Sequence, residues 1–111
     1  MLWQGEISFD RNEYGLLIYL EDATFLLRPH HEELVKQWIN TLLQDLELIP
    51  ASSATVVFDV QDCVLELSAC RVADSVAVDV LFESIGGYYK YNRAVVIETT
   101  DLREILEALS E

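Results

Sequence analysis

The fold is decided by residues 53–84, which read SATVVFDVQDCVLELSACRVADSVAVDVLFES and contain three segments in which apolar and polar residues alternate. Successive side chains of a β-strand point to opposite faces of a sheet, so this alternation predicts three strands that share one apolar face. Short polar breaks at Asp62-Cys63 and Ala73-Asp74 suit tight turns. We therefore predict that residues 53–84 form the central antiparallel meander of a sheet.

The two faces of this meander are predicted to differ in character. The inward face comprises the alternating apolar residues Val56, Phe58, Val60, Leu65, Leu67, Ala69, Val76, Val78, Val80 and Phe82. The outward face carries four carboxylates, at Asp59, Glu66, Asp79 and Glu83. Whether the last helix covers three apolar residues of that face, Val57, Val64 and Leu81, stays open at the level of the sequence.

The strand pairing follows from the positions of the two turns. Tight turns at the two breaks place Asp59 opposite Glu66, Ser68 opposite Asp79, and Glu83 near Val64. Like charges directly opposite each other destabilise a sheet, by up to about 1 kcal/mol for such a pair. We expect the cations of a bound partner to relieve this repulsion.

The flanking residues predict further strands and two helices. Alternating patterns predict strands at residues 2–9, 14–20, 23–27 and 93–99, with a polar turn at 10–13. Apolar residues at helical spacing, from Leu34 through Trp38 to Leu46, predict a long amphipathic helix that ends at Pro50 and a loop over 51–53. A second such set, from Leu102 to Leu109, predicts a short C-terminal helix. The expected fold is a single α+β domain over residues 1–111, in which a mainly antiparallel sheet of about six strands packs against the two helices.

Charge limits the kinds of partner that the chain can bind. The sequence has 20 acidic and 7 basic residues, which gives a formal net charge of -13. Direct binding to nucleic acid or to an anionic membrane needs clustered Lys and Arg, so this balance argues against both and favours a basic partner. An acidic surface also keeps proteins soluble, and solubility alone could account for the charge.

The sequence predicts neither an enzyme nor a metal or cofactor site. The neighbouring His30 and His31 project about 100° apart on a helix, which does not suit joint binding of one metal ion. Gly86-Gly87 lacks the Lys-Ser/Thr of a phosphate-binding loop. The seven-residue spacing of Cys63 and Cys70 fits neither a metal site nor a redox pair, so we expect two reduced thiols. With no signal-peptide pattern at the N-terminus and no long apolar run, the expected location is the cytoplasm.

A tyrosine-rich loop is predicted beside the acidic face. Residues 84–92 read SIGGYYKYN and contain Tyr88, Tyr89 and Tyr91. Tyrosine offers a large contact area with a polar tip and is enriched where proteins bind proteins. The three tyrosines and the four carboxylates are therefore the candidate protein-binding residues. The alternative is that the tyrosines pack on the sheet as part of the last hairpin.

The order of these elements resembles the immunity proteins of bacterial polymorphic and contact-dependent toxin systems. The resemblance consists of an N-terminal hairpin, a Trp-containing helix at 33–39, the meander, the Gly-Gly-aromatic loop and the C-terminal helix at 101–109. It implies a non-enzymatic inhibitor that binds a cognate toxin, often a basic nuclease. Two alternatives are a general acidic binding module, such as a secretion chaperone or a nucleic-acid mimic, and a small ligand-binding or enzymatic domain.

Overall fold

The structure is a computed structural model and describes residues 1–44 and 51–111. Within these residues the chain forms, in order, β1 (Ser8–Asn12), β2 (Gly15–Leu20), β3 (Ala23–Leu27), α1 (Glu32–Leu43), β4 (Ala51–Val60), β5 (Cys63–Val72), β6 (Ser75–Ser84), β7 (Lys90–Glu98) and α2 (Thr99–Leu109). A single turn of 3-10 helix, Pro29–His31, precedes α1. The predicted α+β class is confirmed.

The strands divide into two antiparallel sheets, so the prediction of one sheet of about six strands is wrong. The first sheet has the order β1-β2-β3 and the second has the order β4-β5-β6-β7. The helix α1 lies between β3 and β4 in the chain and packs along β4, where the Trp38 indole donates a hydrogen bond to the Ala54 carbonyl over 3.0 Å. Because α1 lies against β4, β3 does not continue the second sheet.

The first hairpin is displaced from its predicted position. Its first strand is Ser8–Asn12, whereas a strand over residues 2–9 was predicted. Most of the polar residues 10–13, which were predicted to form a turn, belong to this strand. The Asn12 side chain accepts hydrogen bonds from the backbone N–H groups of Tyr14 and Gly15, which closes the turn there. A Cβ atom on Gly15 would lie 1.9 Å from the Leu27 carbonyl oxygen, so only glycine fits this position.

An amphipathic helix, α1, lies where the long helix was predicted, and it ends at Leu43. Its residues Val35, Trp38, Ile39 and Leu42 are buried. Leu46 and Pro50, which were expected to continue and end it, lie outside the described residues. Residues 51–53 were predicted as a loop but belong to β4, because their backbone pairs with residues 70–72 of β5. No helix in the described part of the chain is long and apolar enough to span a membrane.

The core lies on the inward face of the second sheet, as the alternation predicted. Seven of the ten predicted inward residues are buried, and Val56, Val60 and Phe82 are partly buried against the core. The first sheet adds to the same core, since the rings of Phe25 and Phe82 have centroids 5.0 Å apart. Leu102, Ile105 and Leu109 of α2 are buried in it too.

One charged residue, Arg71, lies inside this core. Its side chain is fully buried, and its Nε atom donates to the Leu42 carbonyl over 2.7 Å and to the Ser52 hydroxyl over 3.2 Å. Its Nη1 atom donates to the Ala73 carbonyl over 3.1 Å. Carbonyls in the last turn of a helix lack intrahelical partners, so Arg71 satisfies the end of α1 from the neighbouring sheet. The local sequence did not predict this role.

Candidate functional site

The register of the second sheet decides where its carboxylates lie. Val60 pairs with Cys63, so the first turn consists of Gln61 and Asp62, with Gln61 at a φ of 56°. This turn lies one residue earlier than the predicted Asp62-Cys63, which moves each partner on β5 by two residues. The predicted pairing of Asp59 with Glu66 is therefore wrong. Since side chains alternate with a period of two, the shift leaves every residue on its predicted face.

The actual partners separate the negative charges. Asp59 lies opposite Val64, and Glu66 lies between Val57 on β4 and Leu81 on β6. The second turn lies at the predicted Ala73-Asp74, which confirms two pairings, Ser68 with Asp79 and Val64 with Glu83.

Glu66 lies at the centre of the four carboxylates. Asp59 is two residues along β4 from Val57, while Asp79 and Glu83 are two residues along β6 on either side of Leu81. Each is thus a diagonal neighbour of Glu66, at a spacing of roughly 7–8 Å between such positions. This arrangement avoids direct opposition of like charges and still gathers four acids around one point.

We call the face that carries these four carboxylates the outer face, and neither helix covers it. The contacts of α1 with Arg71 and of its preceding turn with Phe58 lie on the inward side of the sheet. The helix α2 packs against α1 and buries its own apolar residues in the core. The outer-face residues Val57, Val64 and Leu81 are therefore not covered by the last helix. Val57 stays 51% exposed, while Val64 and Leu81 are half-buried.

The outer face contains a shallow groove of about 280 Å³, which we call the outer groove. Four apolar side chains and two glutamates line it together with a serine: Val57, Val64, Leu81, Ile85, Glu66, Glu83 and Ser84. Ile85 was not among the predicted site residues, although the spacing of Leu81, Glu83 and Ile85 continues the outward alternation of β6. The groove combines an apolar floor with an acidic edge.

The loop after β6 holds Ile85 at the end of the groove. The backbone N–H of Ile85 donates to the Asp62 carbonyl over 2.8 Å, which links the β6–β7 loop to the β4–β5 turn. Gly86 and Gly87 follow with φ angles of 97° and 75°, in the region that favours glycine. The Tyr89 N–H donates to the Ser84 hydroxyl over 2.8 Å and closes the loop.

The outer-face carboxylates are not held in ion pairs, unlike several other acidic residues of the chain. Within residues 1–44 and 51–111, Asp59, Glu66, Asp79 and Glu83 form no ion pair, although Lys90 lies opposite Glu83. Elsewhere, Arg93 pairs with Glu21 and Asp22, Arg11 pairs with Glu32, and Lys36 pairs with Glu33. Asp59 does line a pocket with Arg28 and His31, and its charge acts on His31. The outer-face charges most available to groups outside the chain are therefore those of Glu66, Asp79 and Glu83.

The three tyrosines of the candidate site lie in different places. Tyr88 is 95% exposed at the tip of the loop. Tyr89 is about half exposed and packs its ring on Phe82, at a centroid distance of 6.0 Å. Tyr91 points to the inward side, where its ring contacts Phe25 and its hydroxyl donates to the Asp22 carboxylate over 2.6 Å. The structure therefore does not bring Tyr91 together with the four carboxylates.

The adjacent histidines have different surroundings. His30 is exposed, whereas the half-buried ring of His31 packs on Phe58 at a centroid distance of 5.2 Å. Burial lowers the pKa of His31, and the nearby positive charges of His30 and Arg28 act in the same direction. Across the described ranges, no group of three or more His, Cys, Asp or Glu residues is arranged to hold a metal ion.

The Tyr91–Asp22 contact predicts a pH-dependent contribution to stability. The hydrogen bond from Tyr91, aided by Arg93, holds the pKa of Asp22 below its usual value of 3.8. A depressed pKa in the folded state stabilises the protein above the unfolded-state pKa, and this contribution is lost as the pH falls through the folded-state pKa. Tyr91→Phe should therefore lower the melting temperature at about pH 6, and the difference from the unmodified protein should shrink towards about pH 2.

Thermal unfolding followed by circular dichroism across this pH range measures both effects. Tyr88→Phe is the matched control, because the Tyr88 side chain is almost fully exposed, and it should melt with the unmodified protein at every pH. If the melting temperatures of Tyr91→Phe and the unmodified protein differ by the same amount down to about pH 2, a role for the Asp22 carboxylate is contradicted.

Comparisons with known proteins show no family for this chain. No family model matches it, and no curated protein matches it. Among solved structures, it is similar to a protein of unknown function from the DUF155 family of Prochlorococcus sp. NATL2A. That similarity covers 96% of this chain and 93% of the other, with a TM-score of 0.45 and 14% sequence identity.

Proposed function

We propose that this protein is a non-enzymatic binding domain whose outer face binds a basic protein. The observation that carries the proposal is the outer groove, where exposed and half-buried apolar side chains lie beside Glu66 and Glu83, neither of which forms an ion pair within the described residues. Exposed apolar area supplies affinity in protein interfaces, and complementary charge supplies association rate and specificity. Both are present on one face.

The resemblance in sequence organisation suggests what kind of basic protein this is. We propose an immunity protein that binds a cognate toxin domain directly in the cytoplasm and neutralises it. Tyr88, which is exposed at the tip of the loop, extends the contact area at one end of the sheet, whereas Tyr89 packs on the inward-facing Phe82. A net charge of -13 favours rapid encounter with a basic toxin.

Co-expression with the product of the adjacent upstream gene tests this function. We expect the two chains to co-purify as a stable complex, and we expect the protein to protect cells that express this gene product from growth arrest. A gene neighbour without toxicity, together with no binding to a basic nuclease domain, would rule out the immunity function.

A further inference from the structure

We propose that the outer groove receives one arginine side chain of the basic partner, with its guanidinium held between Glu66 and Glu83. This inference rests on the proposed function, because it specifies what the partner presents to the outer face. An arginine in a short peptide presents the same group, so binding to the groove can be measured without the partner.

The size and lining of the groove favour a single long side chain. Its volume of about 280 Å³ lies just below the range of roughly 300–1,000 Å³ that is typical of sites for drug-sized molecules. Val57, Leu81 and Ile85 provide apolar surface along which the methylene groups of such a side chain can lie. Long cationic side chains commonly bury their stems on apolar surface while the charged end reaches polar groups.

The positions of the two glutamates favour a cation at the end of that side chain. Glu66 and Glu83 lie on neighbouring strands as diagonal neighbours, at a spacing of roughly 7–8 Å between positions, so one group can approach both carboxylates. Asp59 and Asp79 are the other diagonal neighbours of Glu66 and add to the negative potential there. A neutral or anionic side chain would gain none of this attraction.

Arginine fits this arrangement better than lysine. The guanidinium group presents five N–H donors in a planar fork and can bond to two carboxylates at once. It is also more weakly hydrated than an ammonium group, so placing it above Val57 and Leu81 costs less desolvation. The compact, strongly hydrated lysine ammonium is expected to bind the same place more weakly.

A second copy of this chain is a poor occupant of the groove. Two outer faces brought together would oppose Asp59, Glu66, Asp79 and Glu83 of one copy with the same four residues of the other. Each copy also carries a net charge of -13. Like charges facing each other across an interface disfavour the contact, so the charge pattern selects a basic partner over self-association.

Nuclear magnetic resonance titration of the isolated protein with short peptides tests the inference. The probes are acetylated, amidated Gly-Ala-Xaa-Ala-Gly peptides in which Xaa is arginine, lysine or citrulline, the neutral analogue of arginine. We expect the arginine peptide to shift the backbone amide signals around Glu66 and Glu83 in a saturable manner. The lysine peptide should bind at least about threefold more weakly and the citrulline peptide at least about tenfold more weakly.

Variants of the groove provide the second part of the test. Glu66→Gln and Glu83→Gln preserve side-chain shape, and each should weaken binding of the arginine peptide about fivefold or more. Glu107→Gln is the matched control, since Glu107 is exposed on α2, away from the outer face. It should bind as the unmodified protein does.

Several results would overturn the inference. They are signal shifts that cluster elsewhere, equal binding of the lysine or citrulline peptide, and unchanged affinity in both groove variants. If the arginine peptide fails while the neighbouring gene product co-purifies, the arginine site is wrong and the proposed function stands. If the arginine peptide binds the groove but the gene neighbour is neither toxic nor bound, the proposed function fails.

Discussion

Replacing Arg71 by methionine is expected to lower the free energy of unfolding by about 3 kcal/mol. Methionine fills much of the buried space but cannot donate to the carbonyls of Leu42 and Ala73, which Arg71 reaches over 2.7 and 3.1 Å. Each buried polar group left without its partner costs roughly 1–3 kcal/mol. The end of α1 would also lose the cation that interacts favourably with its dipole.

Urea unfolding measured by tryptophan fluorescence and circular dichroism gives this free energy, with Trp38 reporting from α1 itself. Cys70→Met is the matched control, because Cys70 precedes Arg71 on β5 but is exposed on the outer face. We expect the control to unfold within about 0.5 kcal/mol of the unmodified protein. Equal free energies of unfolding for the Arg71→Met and Cys70→Met variants would show that the hydrogen bonds of Arg71 make no net contribution to stability.

Reversing two charges on the outer face is expected to slow association with the basic partner by about tenfold or more. Asp59→Lys with Glu66→Lys changes the formal charge by two at each position, so the net charge rises from -13 to -9. The association rate should fall because the outer face would no longer attract cations. The dependence of this rate on salt concentration should become weaker for the same reason. Stopped-flow or biosensor measurements over a series of sodium chloride concentrations give both quantities.

The double variant should stay folded, which separates loss of binding from loss of structure. Both side chains are on the outer face, and Glu66→Lys places a cation diagonal to Asp79 and Glu83, where it replaces repulsion by attraction. Glu107→Lys with Glu111→Lys is the matched control, since it makes the same change in net charge at exposed positions on and just after α2, away from this face. A control that slows association as much as the outer-face variant would indicate that overall charge, and not the outer face, drives encounter.

The sequence predicted the faces of the second sheet better than its register. The face of each residue depends on alternation alone, and the turn shift from Asp62-Cys63 to Gln61-Asp62 did not alter it. The residue that pairs with Asp59 depends on which two residues form the β4–β5 turn. The sequence of that turn contains no strong turn signal such as Asn-Gly. A glycine-free turn with Gln61 at positive φ is difficult to place from sequence.

Contacts between distant segments were beyond the reach of local patterns. Tyr91 was assigned to the binding surface because it lies in a tyrosine-rich stretch, but Asp22, some 70 residues earlier in the chain, holds it on the other side of the sheet. Arg71 continues the inward alternation of Leu65 to Ala69, but its burial as a charged residue depends on the end of α1, which lies over β5 and supplies a hydrogen-bond acceptor. The division into two sheets likewise depends on how α1 packs along β4.

The sequence by itself determined the α+β class, the inward apolar face of the meander and the presence of four carboxylates on its outward face. These follow from residue type and a period of two, which act over a few neighbouring residues. Only the tertiary structure decided that neither helix covers that face, that Glu66 is its centre, and that Val57, Val64, Leu81 and Ile85 form a groove there. Those features depend on register and on packing between segments far apart in the chain, which short-range patterns do not encode.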